Sequence, residues 1–305
     1  MIQATGFHRG RRLGVADIVD ANGMCPVCHS AQARRAVYRI QRDPDIAMLE
    51  CSMCGAASAS HMPKPEVLQR YYAEYYAGAD QQHTLDDPMR FAQHVLRAMP
   101  DQPRSTSVRI LDFGGGDGSL SLAIARCLQA RRAGLAVAID LVDYGNPREP
   151  DLPQVAIHMH RDLAMVTDGC DIILASAIFE HIPDAYSVIR DVTARASSNA
   201  YMYARTPFVL PMARMVPAID ITYPGHVHDM GARFWRDFVK TFGLRASTLS
   251  SRPSLVETTL QSNPIRTILA HTLKAPALME QSLFRGGRLP HWKFVGGWEA
   301  VIRFD

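Results

Sequence analysis

The residues with the clearest chemical meaning are three alternate glycines that follow an apolar run and an acidic side chain. Asp112 ends the run, and a glycine occupies every second position after it: Gly114, Gly116 and Gly118. Glycine lets backbone amides approach a ligand where a Cβ would collide. A helix that begins directly afterwards also points its free amides at that ligand. A dinucleotide fingerprint would need a glycine at Ser119, so the spacing indicates a different ligand.

Acidic residues also follow the next two apolar runs of the chain. The run 136–142 contains Asp140 and is followed by Asp143, which stands directly before a turn. Asp143 is our first candidate for a ligand contact, and Asp140 is the alternative. A third run precedes Asp162 and Leu163. Because ligands of open parallel sheets bind at the carboxyl ends of the strands, these positions are predicted to lie on one edge.

A fourth apolar run and a later loop bring histidines to the same predicted edge. The run 170–176 ends at Ser176 and is followed by His181, while the loop carries His226 and His228. Histidine changes its charge near neutral pH and is the usual side chain for moving a proton. The three histidines are therefore candidates for a general base.

In this order, the four segments resemble the class I S-adenosylmethionine-dependent methyltransferases. Residues 112–118 are similar to the family's first motif, and residues 170–184 are similar to its strand-four segment. The resemblance implies a Rossmann-like seven-stranded α/β sheet with S-adenosylmethionine as cofactor. It also implies a ribose contact at Asp143 or Asp140, since a carboxylate can accept two hydrogen bonds from a diol. The implied cofactor-binding residues are Asp112, Gly114, Gly116, Gly118, Asp143, Asp162, Leu163 and Ser176.

Four of the six cysteines form two Cys-x-x-Cys pairs near the start of the chain. The pairs are Cys25 with Cys28 and Cys51 with Cys54, and the 22 residues between the two pairs have strand-like character. Four thiolates at this spacing can hold Zn²⁺ in a closed tetrahedral site, which predicts a structural zinc ribbon. A small segment with little apolar content needs such a metal to fold.

Three segments with different composition follow one another along the chain. Residues 1–62 are interpreted as the zinc ribbon, residues 63–104 as a helical connector or lid, and residues 105–305 as the methyltransferase domain. The connector contains a predicted helix over 65–77 with tyrosines on one face. This face is either a packing face, or it brings Tyr72 or Tyr76 over the cofactor or into contact with the substrate.

Composition indicates which binding partners and which cellular location to expect. The 305 residues carry 33 basic and 30 acidic side chains, a net charge of +3, which argues against nucleic acid as a partner. No apolar run reaches the length of about 18 residues that predicts a membrane span. Cysteines in metal-binding spacing, without a secretory signal, predict a cytoplasmic location. The pattern leaves the oligomeric state open.

The expected chemistry is transfer of a methyl group to an oxygen or carbon of a small molecule. Such an acceptor needs alignment and, when neutral, a base. His181, His226 and Tyr76 are the candidate catalytic residues. No Asn/Asp-Pro-Pro-aromatic run follows the fourth strand, which disfavours exocyclic amines and glutamine amides as acceptors, and no Pro-Cys nucleophile is present.

The order of ribbon, tyrosine-rich helix and methyltransferase domain is similar to that of bacterial enzymes that C-methylate nucleotide-linked deoxysugars. The resemblance covers residues 22–245, and the segment that follows is too short for the large C-terminal domain of those enzymes, which is therefore not expected in this sequence. A sugar or a secondary metabolite is therefore a candidate acceptor. Two alternatives remain: an RNA methyltransferase that uses the ribbon to bind its substrate, and a non-catalytic scaffold of the same fold.

Overall fold

The computed structural model describes residues 2–3, 10–19, 23–77, 87–100, 105–216, 218–255, 264–284 and 289–305. The first elements are short strands, a three-stranded antiparallel ribbon and a helix. They are β1 (Ile2–Gln3), β2 (Ile18–Val19), β3 (Arg34–Arg42), β4 (Asp45–Cys51), β5 (Ala57–Ala59), β6 (Met62–Pro63) and α1 (Pro65–Ala77). The helix matches the predicted range 65–77.

The second part of the chain contains strands at the predicted apolar runs, together with several helices. Its first elements are α2 (Pro88–Arg97), β7 (Ser107–Phe113), α3 (Ser119–Arg131), β8 (Ala136–Val142), β9 (Val155–His160), β10 (Cys170–Ser176), α4 (Ala185–Ala194) and β11 (Ala196–Phe208). They are followed by α5 (Leu210–Met215), β12 (Ile219–Asp220), β13 (His228–Asp229), α6 (Ala232–Phe242), β14 (Ala246–Pro253), α7 (Pro264–Phe284) and β15 (Gly296–Phe304).

Seven strands form the main sheet in the order β14-β15-β11-β10-β7-β8-β9. All neighbouring pairs from β11 to β9 are parallel, while β15 runs antiparallel between β14 and β11. The strand order reverses at β7, which has β10 on one side and β8 on the other. A crevice for a ligand is expected at such a switch point. The predicted seven-stranded Rossmann-like sheet is confirmed.

Helices cover both faces of this sheet. Because consecutive strand residues point to opposite sides, neighbouring residues of one strand lie in two different core clusters. On one face, Ile110 and Ile139 belong to a core cluster with α2 and α3. On the other face, Leu111 and Ile173 pack in a cluster that includes α4 and α6. The sheet is thus buried on both sides, which explains its continuous apolar runs.

The four-cysteine ribbon is built into this second core. Its buried residues Cys25, Val27 and Cys51 belong to the same apolar cluster as Phe234 and Trp235 of α6. In addition, β13 pairs with β5, so the four-stranded sheet β13-β5-β4-β3 contains a strand from the predicted third domain. The ribbon and the predicted third domain therefore share one core and one sheet. The domain bounds themselves stay a prediction.

The long helix α7 continues through a proline. It spans Pro264–Phe284 with Pro276 inside it. Proline removes one backbone hydrogen bond of a helix and commonly kinks it.

Among the described residues, each helix is too short or too polar to span a membrane.

Candidate active site

The glycine turn between β7 and α3 adopts a conformation that only glycine tolerates well. Gly114, Gly116 and Gly118 have φ angles of 71°, 62° and 76°, in the left-handed region. A Cβ on Gly114 would lie 2.5 Å from Cγ1 of Ile178, whereas a Cβ on Gly116 would have no heavy atom within 4 Å. The open space beside Gly116 is where a ligand can approach the backbone.

A fourth glycine in this turn was not predicted as a site residue. A Cβ on Gly115 would lie 2.2 Å from Cγ of Asp112, so any side chain at this position would displace the carboxylate. The sequence signal was the unbroken run of glycines at 114–116. A pattern of alternate glycines accounts for Gly114 and Gly116 but not for Gly115. Gly115 keeps room for Asp112 while its neighbours shape the backbone.

Asp112 is a buried carboxylate with an unsatisfied oxygen. Its side chain lines the cleft and the residue is 2% exposed, yet Oδ2 has no hydrogen-bond partner among the described residues. Burial raises the pKa of Asp112 to about 7, against the opposing effect of hydrogen bonding from Ser121. A buried acceptor without a donor is costly unless a ligand supplies one. A cationic donor such as an ammonium group fits this position.

The structure places the two candidate ribose ligands differently. Asp143 lines the cleft, where its Oδ2 accepts a hydrogen bond from the Gly116 amide at 2.8 Å. Asp140 is buried and accepts from Arg109 Nε at 2.7 Å and from His160 Nε2 at 2.8 Å. The carboxylate of Asp140 is therefore committed to an ion cluster inside the fold. This geometry favours Asp143.

The remaining predicted cofactor contacts meet at the same cleft, which has a volume of about 1070 Å³. Asp162, Leu163 and Ser176 all line it. Asp162 also holds its own loop, since Oδ1 accepts a hydrogen bond from the Ala164 amide at 2.9 Å. The cleft further contains Arg161, which was not predicted as a site residue. Its position directly before Asp162, after a predicted strand, was the available signal.

Two of the three candidate histidines lie side by side, and one of them lines the cleft. The ring centroids of His181 and His226 are 4.7 Å apart, and His181 lines the cleft whereas His226 does not. His181 follows β10 in a short 3-10 turn, and its Nδ1 lies 2.6 Å from the carbonyl oxygen of Gly225. Burial lowers the pKa of His181 to about 4, so the ring is neutral at pH 7.

His228 has a structural position. Its Nδ1 lies 2.9 Å from Oγ of Ser58 in the ribbon, and its Nε2 lies 2.8 Å from the carbonyl oxygen of Ile182. Both ring nitrogens are thus occupied by groups of the fold, and the side chain connects β13 to its neighbours. Of the three candidate histidines, His181 lines the cleft, and His226 lies next to it.

Of the two tyrosines predicted to approach the cofactor or substrate, the structure describes the side chain of one. Tyr72 lines the cleft, with its ring centroid 6.1 Å from that of His181 and its hydroxyl 3.4 Å from the carbonyl oxygen of Gly225. The side chain of Tyr76 lies outside the described residues. Its predicted catalytic role stays a prediction, while Tyr72 is placed beside the histidines.

Glu180 directly precedes His181 and is not among the predicted site residues, since the sequence leaves a structural and a chemical role equally open for it. The residue is 1% exposed, and Oε1 lies 3.8 Å from Nε2 of His181. Its Oε2 has no hydrogen-bond partner in the described ranges. Burial raises the pKa of Glu180 to about 8 against the favourable charge of Arg205. A second unsatisfied carboxylate therefore lies next to the two histidines.

The four ribbon cysteines converge as their spacing predicts. The Sγ atoms of Cys25 and Cys54 are 3.9 Å apart, and those of Cys28 and Cys51 are 3.7 Å apart. A tetrahedral zinc with bonds of about 2.3 Å requires sulfur–sulfur distances of about 3.8 Å. The arrangement therefore fits one Zn²⁺ with four thiolate ligands.

The chain matches the model of a known protein family. Residues 82–249 match the family model described as a methyltransferase domain. No protein of curated function matches the sequence. Coclaurine N-methyltransferase bound to N-methylheliamine and SAH has 15% identity and a TM-score of 0.45, covering 74% of this chain and 75% of that one.

Two further solved structures show a similar level of likeness. Plantazolicin methyltransferase, in complex with a triazolic desmethylPZN analog and SAH, has 11% identity and a TM-score of 0.41, covering 79% of this chain and 91% of that one. An S-adenosylmethionine-dependent methyltransferase from Mesorhizobium loti has 14% identity and a TM-score of 0.40, covering 70% and 97%. Likeness at this level carries no information about the acceptor.

Proposed function

Because the chain belongs to the methyltransferase family whose model spans residues 82–249, we propose that it moves a methyl group from S-adenosylmethionine to an oxygen or carbon of a small molecule. The observation that carries the choice of donor is the unsatisfied carboxylate of Asp112 beside an open glycine turn. S-adenosylmethionine supplies an electrophilic methyl group on a sulfonium. It also has an ammonium group and a ribose diol, which match the two aspartates of the cleft.

In this proposal, Asp112 accepts a hydrogen bond from the ammonium end and Asp143 binds the ribose hydroxyls. Asp143 already accepts the Gly116 amide, so it ties the glycine turn to the loop after β8. Asp162 and Leu163 lie further along the cleft and are proposed to contact adenine, with Ser176 at the end of β10. These contacts orient the donor for an in-line displacement.

The acceptor is proposed to bind near His181 and Tyr72, at the part of the cleft beyond the glycine turn. The Gly225 carbonyl oxygen can only accept, so Nδ1 of His181 carries the proton and Nε2 carries a lone pair. A neutral ring can remove a proton from an acceptor hydroxyl or an acidic carbon. His226 and Tyr76 are proposed as further catalytic residues.

His181→Gln is expected to lower kcat for methyl transfer by about 10²–10⁴-fold, the usual contribution of general base catalysis. The Kd for S-adenosylhomocysteine should stay unchanged, because His181 is proposed to act on the acceptor. Rates and calorimetric binding measured on the same preparation test this. Equal losses in affinity and rate would instead place His181 in the donor site.

Donor binding is expected to weaken as the pH falls below about 7. Burial raises the pKa of Asp112 to about 7, and a bound ammonium group favours its ionised form. Protonation of the free protein therefore competes with binding, by up to about tenfold in Kd per pH unit. Calorimetric titration with S-adenosylhomocysteine between about pH 5 and pH 8 measures this. Asp112→Asn should bind weakly without the same dependence, and a flat profile in the wild type would contradict the assignment.

We further propose that the four-cysteine cluster holds one structural zinc ion. The four thiolates complete a tetrahedral site, so no position remains for a substrate. The zinc is therefore assigned to stability, and the reduced thiols fit a cytoplasmic protein.

An RNA acceptor is the second candidate function, with the ribbon as the part that would bind it. The balanced charge of the chain favours a small molecule, since phosphate contacts dominate RNA binding. Labelled S-adenosylmethionine supplied with fractionated small molecules and, separately, with RNA distinguishes the two. Label only in RNA would contradict the small-molecule proposal, and no binding of donor would favour a scaffold.

A further inference from the structure

We propose that the outer face of α7 is the contact through which two copies of this chain form a symmetric dimer. The helix spans Pro264–Phe284, between β14 and β15. Its outer face carries an apolar stripe made of Ile265, Leu269, Thr272, Pro276, Met279 and Leu283. The dimer contact is independent of the proposed methyl transfer, since none of these residues lines the cleft.

The large side chains of this stripe face solvent. Ile265, Leu269, Met279 and Leu283 are each between 62% and 73% exposed, and the neighbouring Ile268 is 65% exposed. Single exposed apolar side chains are normal on a protein surface. A contiguous row of them along one helix instead marks a site of interaction with another molecule.

The opposite face of α7 packs on the fold, although it carries a lysine and a glutamine. Lys274 is buried, and its Nζ donates a hydrogen bond to the carbonyl oxygen of Ser254 at 2.6 Å. Gln281 Nε2 donates to the carbonyl oxygen of Ser251 at 3.0 Å. Polar side chains thus attach the helix to β14, an edge strand of the main sheet, and to the residue after it. An amphipathic helix normally buries its apolar face, so this reversed orientation indicates a second surface for the stripe.

The spacing of the stripe is that of a seam between two helices. Its six positions are separated by four, three, four, three and four residues, which is the a/d pattern of a heptad repeat. A strict a/d stripe is narrower than the apolar face of a helix that covers a globular core. The residues that pack on the fold, Lys274, Ala277 and Gln281, occupy the outer positions of the same repeat. The stripe therefore fits a partner helix.

A second copy of α7 is complementary to this stripe because the spacing is the same from either end. Antiparallel alignment about a two-fold axis pairs Ile265 with Leu283, Leu269 with Met279, and Thr272 with Pro276. Large side chains then meet large ones, and the two small layers lie at the centre. The Thr272 hydroxyl donates within α7 to the carbonyl oxygen of Ile268 at 2.9 Å, so it can lie in an apolar seam. This orientation also brings opposite ends of the two helix dipoles together.

The area of the stripe is close to what a stable dimer needs. With the flanking Ile268 and Leu273, its exposed side chains offer on the order of 700 Å² per chain, against about 800 Å² per partner in a standard interface. The preceding segment 256–263 lies outside the described residues, and its sequence has only Val256 and Leu260 as large apolar residues. These two are too few to cover the stripe, whereas a second copy supplies an equal apolar area by symmetry.

The test is the mass of the full chain in solution, measured by sedimentation equilibrium over a wide range of concentrations. The wild type is expected to reach twice the mass of one chain. Leu269→Glu and Met279→Glu should each raise the dissociation constant of the dimer by about 30-fold or more, as for a central interface residue. A single-chain mass for the wild type at every concentration, or an unchanged dissociation constant in both variants, would overturn the proposal.

His271→Glu is the matched control on the same helix. His271 is exposed but lies off the stripe, so the new carboxylate adds charge without entering the seam. This variant should dimerise as the wild type does. In the separated chain all three glutamates face solvent, so each variant should keep its fold and its affinity for S-adenosylhomocysteine. Equal weakening of the dimer by His271→Glu would contradict the assigned surface.

Two double variants test the antiparallel orientation. Leu269→Glu with Met279→Lys places opposite charges in one layer, whereas glutamate at both positions places like charges there. The first is expected to dimerise about tenfold or more tightly than the second, because like charges across an interface are costly. Equal dissociation constants would overturn the antiparallel contact. Binding of a monomeric wild type to phosphatidylcholine vesicles would overturn the dimer in favour of a membrane surface.

Discussion

Gly116→Leu is expected to abolish donor binding while leaving the protein folded. The φ of 62° and the absence of heavy atoms within 4 Å of an added Cβ mean that the new side chain enters the open cleft. There it would occupy the space proposed for the donor, and steric overlap of this kind costs about 1–3 kcal/mol or more. The Kd for S-adenosylhomocysteine should rise by about 100-fold or more, measured by calorimetry.

Gly134→Leu is the matched control for this substitution. Gly134 also has a left-handed φ, of 79°, with nothing within 4 Å of a Cβ, but it does not line the cleft. Both variants carry the backbone strain of about 1–2 kcal/mol for a left-handed residue, so their melting temperatures should fall similarly. Only Gly116→Leu should lose the ligand. Undiminished binding by that variant would refute the proposed donor site.

Cys51→Ser is expected to remove one zinc equivalent and to destabilise the whole chain. Structural zinc binding by four such ligands is worth about 10–16 kcal/mol, comparable to or larger than the typical stability of a domain. The ribbon shares a core with α6 and a sheet with β13, so its loss should lower the melting temperature of the methyltransferase part as well. Zinc analysis and thermal unfolding measure both effects.

Cys127→Ala controls for the loss of a buried thiol. Cys127 lies on α3, is 8% exposed and belongs to the core cluster on the other face of the sheet. Its replacement should cost on the order of 1 kcal/mol without changing the metal content. Normal zinc content in Cys51→Ser, or equal destabilisation by both variants, would argue against a zinc-dependent ribbon.

Much of the architecture was predictable because its signals are local. The glycine turn, the start of α3 and the two cysteine pairs each depend on residues within a few positions of one another. The apolar runs likewise predicted the strands and their order along the chain. Local backbone preference and side-chain spacing determine these features before any distant contact forms.

The assignment of individual site residues depended on contacts between distant positions. The sequence does not distinguish Asp140 from Asp143 as the ribose contact. In the structure, Arg109 and His160 bind Asp140, whereas Asp143 lines the cleft. His228 differs from His181 and His226 in its contacts with Oγ of Ser58 in the ribbon and with the carbonyl oxygen of Ile182.

The sequence by itself therefore determined the family resemblance, the sheet, the glycine turn and the metal-binding spacing. Only the tertiary structure decided which carboxylate oxygens lack a hydrogen-bond partner among the described residues, which histidine rings lie side by side, and that β13 pairs with the ribbon. Burial and hydrogen-bond satisfaction are properties of the packed chain, because the groups that shield or bind a side chain come from elements far away in sequence.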